Sequence, residues 1–159
     1  ADEELILRQL TKNFETQLQQ LDDLMLASGR SADQVLVMAS LLEDEAPGTA
    51  ERRQIAGILW KRFDAGMPLQ VDAVFPYLIG KNSFDLTVDD LNIDSPYNTY
   101  KYVGLPPGPI NNPGLDAIRA ALTPLDNDYW YYLSVPKTGE TIFSKTLEEH
   151  NIAKAKFLK

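Results

Sequence analysis

The stretch Val35-Leu36-Val37-Met38-Ala39-Ser40-Leu41-Leu42 decides the fold of this chain. Its side chains are apolar nearly all the way round a helix, and a helix without a polar face is expected to lie buried. Ser31 precedes the stretch as a suitable N-cap, and Pro47-Gly48 breaks the pattern after it. We therefore predict a buried helix between these two signals.

Helical patterns flank this stretch on both sides. Upstream, apolar residues recur every three or four positions, which predicts one amphipathic helix from Glu3 to Ala27 that stops at Gly29. Downstream, Thr49 is the predicted N-cap of a third helix ending near Gly66. The apolar stripes consist of Ile6, Leu10, Phe14, Leu18, Leu21 and Met25 in the first helix, and Ile55, Ile58, Leu59 and Phe63 in the third.

The rest of the chain predicts loops, short helices and a hairpin. Repeated Gly, Pro and Asn between Met67 and Asn112 indicate short helices joined by long ordered loops. Tyr129 to Val135 has the composition of a strand, and Glu140 to Ser144 would return from a turn at Lys137-Thr138-Gly139. Further predicted elements are a third strand at Met67 to Gln70 and helices from Pro113-Gly114 through Leu122 and from Thr146 to Leu158. The predicted class is α+β, with helices packed around a small antiparallel sheet and a cleft lined by long ordered loops.

Composition narrows the function. With 159 residues and 44% hydrophobic content, the chain can form one domain with a substantial core. A net charge of −8 and the lack of a basic patch argue against nucleic acid as a partner. The sequence has no cysteine and a single histidine, His150, so thiol chemistry and a multi-histidine zinc site are excluded. Acid–base chemistry would therefore use carboxylates, and no cofactor or metal is expected.

An acidic run, Glu43-Asp44-Glu45, stands where the buried helix ends. There the Glu43 carboxyl should meet apolar side chains at the mouth of a cleft, and burial raises the pKa of a carboxyl group. An acid that stays protonated near neutral pH can protonate a leaving-group oxygen. Glu45 lies about 200° further round the helix, so the two carboxylates do not form a ready-made pair. The alternative is a solvated helix end without a catalytic role.

Five ordered groups of motifs carry a resemblance to a known family. They are Ala39-Ser40-Leu41-Leu42-Glu43-Asp44-Glu45 with Glu51-Arg52, Gly66-Met67-Pro68-Leu69-Gln70-Val71-Asp72, Tyr97-Asn98-Thr99-Tyr100, Gly104-Leu105-Pro106-Pro107-Gly108-Pro109-Ile110 with Asn112-Pro113-Gly114, and Phe143-Ser144-Lys145-Thr146 with His150-Asn151. In this order they resemble the YceG-like (MltG-type) family of endolytic murein transglycosylases. The match begins near Leu36.

The resemblance implies a domain organisation and a location. Residues 1–30 would form an N-terminal helix leading into a YceG-like catalytic domain at 31–159. Family members usually carry a membrane helix and a LysM-like domain upstream; both are missing here, and Ala1 is not methionine, so we expect a piece of a longer protein. The expected location is the bacterial cell envelope, at the extracytoplasmic face of the inner membrane, reached through that missing anchor.

The resemblance also implies an activity. Glu43 falls on the family's catalytic glutamate, which cleaves the bond between N-acetylmuramic acid and N-acetylglucosamine and leaves a 1,6-anhydro end. One carboxyl would act first as acid and then as base. The residues expected to hold the substrate are Gln70, Asp72, Tyr97, Asn98 and Tyr100. The expected partners are peptidoglycan glycan strands and, by family alone, cell-wall synthases.

Two departures from the family pattern leave other functions open. Val71-Asp72-Ala73-Val74 replaces the usual Ser-Asp-Pro-Thr, and Thr141 stands where a histidine is common. One alternative is a hydrolytic muramidase in which Asp72 or Glu45 activates water. Another is a peptidoglycan-binding module without turnover, and a third is an unrelated interaction domain. For Asp72, a helix N-cap is the structural alternative, and for Tyr97 and Tyr100 it is ordinary packing.

Overall fold

A computed structural model describes residues 2–46, 48–82, 85–135 and 138–158, and over these residues the chain has seven α-helices and one antiparallel hairpin. The elements are α1 (Glu3–Gln19), α2 (Asp22–Ser28), α3 (Ala32–Glu45), α4 (Thr49–Asp64), α5 (Val74–Ile79), α6 (Leu115–Leu122), β1 (Tyr131–Ser134), β2 (Thr141–Ser144) and α7 (Leu147–Phe157), with a 3-10 turn at Asp90–Asn92. The predicted α+β class is confirmed. Within the described ranges, no helix is long and apolar enough to span a membrane.

Helix α3 is the buried helix that its composition predicts. The Ser31 hydroxyl accepts a hydrogen bond from the Gln34 N–H at 3.2 Å, and the Gln34 side chain accepts one from the Ser31 N–H at 3.1 Å. This capping box satisfies backbone donors that the helix cannot pair internally. Seven residues of α3 are buried, among them Leu41 and Leu42, both 0% exposed, and the helix packs against α4 and α6.

The N-terminal region differs from the single predicted helix. It forms α1 and α2, which are separated at Gln20-Leu21, and the reason is that Leu21 turns into the core and is only 1% exposed. Gly29 ends α2 in the left-handed conformation at φ 66°, as predicted. No residue of α1 is buried, and its stripe at Ile6 and Leu10 is exposed.

Two local predictions are wrong. Thr49 is the first residue of α4, not its N-cap; Gly48 takes the cap position, and the Thr49 hydroxyl donates to Asp116 at 3.0 Å. Met67 to Gln70 is not a strand, because the Leu69 carbonyl is taken by the Arg62 guanidinium at 2.9 Å and Gln70 has a left-handed φ of 55°. Contacts between distant segments override the local pattern at both positions.

The hairpin flanks the helical core. Tyr131 pairs with Ser144 and Ser134 with Thr141, which confirms the two predicted strands with shorter bounds. Helix α7 packs on both strands, and Tyr132 packs against the helical core. The predicted turn residue Lys137 lies outside the described residues, as does Pro47 in the predicted helix break. Two strands of four residues are too small to be the centre of the domain, so the core forms among α3, α4 and α6.

Candidate active site

Glu45 ends α3 on a buried apolar stripe of that helix. Met38, Leu41 and Leu42 precede Glu45 by seven, four and three positions, the spacing of one helix face, and all three are 0% exposed. The Glu45 carboxyl therefore projects from a buried surface. Its Oε2 accepts a hydrogen bond of 2.6 Å from the Tyr132 hydroxyl on strand β1.

The surroundings of Glu45 change its acidity. Burial raises its pKa from 4.5 to about 7, against the lowering effect of hydrogen bonds from Tyr132 and the Ala73 N–H. The negative charges of Asp72 and Asp44 raise the pKa further. A carboxyl group with a pKa near 7 is present in both protonation states at neutral pH, so it can donate a proton and later accept one.

Asp72 reaches this site because two loops are joined through Thr99. The Gln70 N–H donates to the Thr99 carbonyl at 3.0 Å, and the Val71 N–H donates to the Thr99 hydroxyl at 3.0 Å. These bonds place Tyr100 beside Asp72, and the Tyr100 hydroxyl donates to Asp72 Oδ1. Burial raises the pKa of Asp72, and the bond from Tyr100 partly offsets this.

Asp72 does not cap a helix. Helix α5 begins after Ala73, which is its N-cap residue and makes no side-chain capping bond. In place of the N-cap alternative, Asp72 accepts a hydrogen bond from Tyr100, and its negative charge raises the pKa of Glu45. Four acidic or phenolic groups from four segments of the chain therefore meet here: Glu45, Asp72, Tyr100 and Tyr132.

Arg62 supports the site from α4. Its guanidinium is buried at 4% exposure and donates to the carbonyls of Trp130 at 2.8 Å and Leu69 at 2.9 Å. It also donates to Gln70 Oε1 at 3.3 Å and lies 4.9 Å from the Tyr131 ring centroid. Arg62 therefore ties the loop that carries Gln70 to the strand that carries the site tyrosine.

Two other predicted substrate residues have structural partners. Asn98 is 0% exposed; its amide donates to the carbonyls of Leu91 at 3.0 Å and Ile93 at 2.8 Å, and its oxygen accepts from the Tyr100 N–H at 3.0 Å. Both amide hydrogens are thus used within the loop. Its observed contacts shape the turn that presents Tyr100.

Tyr97 belongs to the wall of the neighbouring loop. Its ring packs against Tyr77 with the centroids 5.1 Å apart. A Cβ atom on Gly108 would come within 3.2 Å of the Tyr97 hydroxyl, so glycine at this position lets the proline-containing loop approach closely. Packing is the role that these contacts describe, and a contact between Tyr97 and substrate stays a prediction.

Glu43 points into a different network. Its Oε2 accepts from the Gly114 N–H at 2.9 Å, at the start of α6, and its Oε1 lies 3.5 Å from the Arg52 guanidinium. Arg52 also binds Asp116 at 2.9 Å, and Asp116 accepts from the Thr49 hydroxyl. This network joins α3, α4 and α6. Within the described residues, no hydrogen bond or ion pair links Glu43 to Asp72 or Tyr100.

Sequence reasoning named neither Arg62 nor Tyr132 as a site residue and considered Glu45 only as an alternative activator of water, although Glu45 and Arg62 each had a signal. Glu45 extends the stripe Met38-Leu41-Leu42, and Arg62 extends the stripe of Ile55, Ile58 and Leu59 on α4. A charged residue on a buried stripe must find a partner or change its protonation, so both were detectable. Tyr132 had none, because alternation along one strand does not reveal what its faces meet.

The chain has clear relatives. The family model described as the YceG-like family matches residues 1–156. A Bacillus subtilis (strain 168) protein named endolytic murein transglycosylase is 42% identical over 153 residues, which are 96% of this chain and 42% of that protein. A Streptococcus pneumoniae (strain D39) protein of the same name is 37% identical over 126 residues, 76% of this chain and 23% of that protein.

The fold also has a solved counterpart. The crystal structure of a yceG-like protein from Listeria monocytogenes is 40% identical and has a TM-score of 0.88, covering 97% of this chain and 50% of that chain. The present chain spans less than half the length of the curated relatives: 42% of the Bacillus subtilis protein and 23% of the Streptococcus pneumoniae protein. On the match of the family model to residues 1–156, this chain belongs to the YceG-like family.

Proposed function

We propose that this domain is the catalytic region of an endolytic lytic transglycosylase that cuts peptidoglycan glycan strands, with Glu45 as its acid and base. The names of the relatives support the reaction class. The observation that carries the proposal is the Glu45 carboxyl, which is hydrogen-bonded to Tyr132 and whose pKa burial raises to about 7. This group can exchange a proton twice within one turnover.

The proposed reaction needs no water. Protonated Glu45 donates its proton to the oxygen between N-acetylmuramic acid and N-acetylglucosamine, and the C–O bond at C1 breaks. The Glu45 carboxylate then removes the proton from the C6 hydroxyl of the same sugar, whose oxygen attacks C1 and forms a 1,6-anhydro ring. Because the carboxylate exists between the two steps, the Tyr132 hydroxyl stabilises it there.

Asp72 contributes charge in this scheme. The breaking bond leaves positive character on the sugar ring, and a nearby carboxylate favours that state. Tyr100 holds Asp72 in place by its hydrogen bond. Gln70 is linked to the same site because its side-chain oxygen accepts a hydrogen bond from Arg62. We therefore propose Asp72 as the electrostatic partner and Tyr100 and Gln70 as the residues that line the bound sugar.

Glu43 as the acid stays a prediction from sequence. It faces a guanidinium and a backbone N–H at a helix start, and both partners complement a negative charge. Glu45 faces a phenol and a second acid, which suit a group that changes protonation. The surroundings therefore favour Glu45 over Glu43 for proton transfer.

Paired variants on purified, peptide-free glycan strands test this choice. Glu45→Gln should lower turnover by roughly 10²–10⁴-fold, the usual contribution of a general acid. Glu43→Gln is the matched control, with the same chemical change two residues away, and should keep turnover within about tenfold once folding is verified by circular dichroism. If the two results are exchanged, Glu43 is the acid and the proposal for Glu45 is wrong.

The products separate the remaining alternatives. Mass spectrometry should find 1,6-anhydro ends; reducing ends alone would indicate a muramidase in which Asp72 activates water. Binding of strands without any product would indicate a peptidoglycan-binding module.

A role in the bacterial cell envelope follows from the proposed substrate. The extracytoplasmic face of the inner membrane, an anchor outside this sequence and cell-wall synthases as partners are further parts of the proposal.

A further inference from the structure

A concave site lies in the loops after the 3-10 turn. It is a cavity of about 510 Å³ lined by Asp94, Pro96, Tyr102, Leu105 and Pro107. Small-molecule sites usually have volumes of roughly 300–1,000 Å³. The volume therefore suits one or a few sugar rings, and none of the lining residues belongs to the group around Glu45.

The lining combines a flat ring with a fixed carboxylate. The Tyr102 side chain is 43% exposed, and its hydroxyl donates to Asp94 Oδ1, which also accepts from Lys101 Nζ at 3.0 Å. The hydrogen bonds from Tyr102 and then Lys101 lower the pKa of Asp94, so its carboxyl is ionised at neutral pH. Oδ2 of Asp94 has no hydrogen-bond partner within the described residues, and the side chain is 75% exposed.

This chemistry matches an uncharged sugar. A pyranose ring offers apolar C–H faces that pack on an aromatic ring, and hydroxyls at its edge that donate to a carboxylate. The Asp94 charge disfavours ligands that carry carboxylates of their own. Among the parts of a peptidoglycan strand, the N-acetylglucosamine ring is the neutral one, whereas stem peptides carry carboxylates.

The cavity is also preorganised. The buried Asn98 amide holds the carbonyls of Leu91 and Ile93 just before it, and prolines at 96, 106, 107 and 109 restrict the backbone of the loops. A site whose walls are already ordered loses little conformational entropy when it binds. Rigid walls therefore suit a binding subsite.

The position of the cavity connects it to the proposed active site. Tyr102 follows Tyr100 by two residues, so their Cα atoms are at most about 7 Å apart. The Tyr100 hydroxyl in turn contacts Asp72. Resting on the proposed function, we infer that this cavity is a distal glycan subsite that binds an N-acetylglucosamine ring a few sugars from the bond being cut.

Binding to this subsite can be measured apart from catalysis. Tri-N-acetylchitotriose should shift the amide NMR signals of Tyr102 and Asp94, and Tyr102→Ala or Asp94→Asn should weaken that binding at least tenfold. Val103→Ala is the matched control, because Val103 is 59% exposed on the same loop and does not line the cavity. Its affinity should equal that of wild type. Loss of binding in Val103→Ala equal to that in Tyr102→Ala would overturn the inference.

Turnover supplies the second test. Tyr102→Ala should raise KM for long strands at least tenfold and leave KM for the shortest cleavable fragment within twofold of wild type. An equal rise for both lengths overturns the inference, as does a shift at Tyr102 with a proline-rich peptide but not with the sugar. Anhydro products without sugar binding at Tyr102 would overturn the subsite alone, whereas sugar binding with an inert enzyme would overturn the proposed function alone.

Discussion

Glu43 and Glu45 stand two residues apart on α3, and their surroundings are opposite. Glu43 meets the Arg52 guanidinium and the Gly114 N–H where α3, α4 and α6 come together. Glu45 meets the Tyr132 hydroxyl and the charge of Asp72, at the end of the apolar stripe of the helix. The two residues are almost at the same position along the chain, so the contrast arises because their side chains point in different directions around the helix.

This contrast separates a role in stability from a role in chemistry. The guanidinium and N–H partners of Glu43 complement its charge and link α3 to α4 and α6. A carboxyl that is partly buried beside another acid is costly when ionised, and that cost is what keeps a proton available near neutral pH. The two glutamates should therefore respond to substitution with opposite signs.

The largest effect is expected for Glu45→Gln on stability at high pH. The pKa of Glu45 is about 7 in the folded state against 4.5 unfolded, so the folded state holds the proton more tightly. Wild type therefore loses stability as pH rises from 4.5 to 7, and the loss is complete above pH 7. Glutamine escapes this loss, so the variant should gain on the order of 3 kcal/mol at pH 8 and almost nothing at pH 4.

Urea unfolding at several pH values measures this gain. Glu43→Gln is the control and should lose about 1 kcal/mol at pH 8, because a neutral amide binds Arg52 less strongly than a carboxylate does. If wild type and Glu45→Gln depend on pH in the same way between pH 4 and 8, Glu45 does not titrate in this window. The contrast between the two glutamates would then fail.

Much of the fold but less of the site could be predicted from the sequence, and α3 shows why. The bounds of α3 depend on a local capping box and a local apolar pattern, so Ser31 and the following stretch were sufficient to predict this helix. The break at Leu21 and the irregular segment at Met67 to Gln70 depend on contacts with distant residues. Local patterns carry no information about such partners.

The site illustrates the same limit. Asp72 and Tyr100 were both predicted, but their direct contact depends on Thr99 joining two loops, which no spacing reveals. Glu45 was predicted only as an alternative activator of water, although its place on the buried stripe of α3 was the more informative fact. What surrounds a carboxyl, more than how many acids adjoin it in sequence, determines its chemistry.

Arg52→Met should change stability less than Glu45→Gln does, and in the opposite direction. Methionine keeps much of the aliphatic volume but removes the guanidinium, which is 12% exposed and binds Asp116 at 2.9 Å. The carboxylates of Glu43 on α3 and Asp116 on α6 then lose their cation, and the variant should be destabilised by about 2 kcal/mol in urea unfolding at pH 7. The pH at which turnover declines should not move, since Arg52 does not contact Glu45. A shift of that pH would show that the two networks are coupled.

The smallest change is Tyr132→Phe, which removes one oxygen and tests the surroundings of Glu45. Tyr132→Phe removes the hydroxyl whose hydrogen bond lowers the pKa of Glu45, so that pKa should rise. The alkaline limb of kcat/KM should move to higher pH, because protonated Glu45 persists further. Turnover should fall about tenfold, since the carboxylate between the two steps loses a donor worth roughly 1.4 kcal/mol.

Tyr131→Phe is the matched control for this substitution. Tyr131 precedes Tyr132 on β1 and stacks on His150 at a centroid distance of 5.3 Å, and its hydroxyl makes no hydrogen bond within the described residues. The control should therefore keep both the turnover and the pH profile of wild type. If Tyr132→Phe lowers turnover without moving the alkaline limb, the hydroxyl acts on the substrate and not on the acidity of Glu45. A limb that moves only in Tyr132→Phe would identify Glu45 as the group that titrates during catalysis.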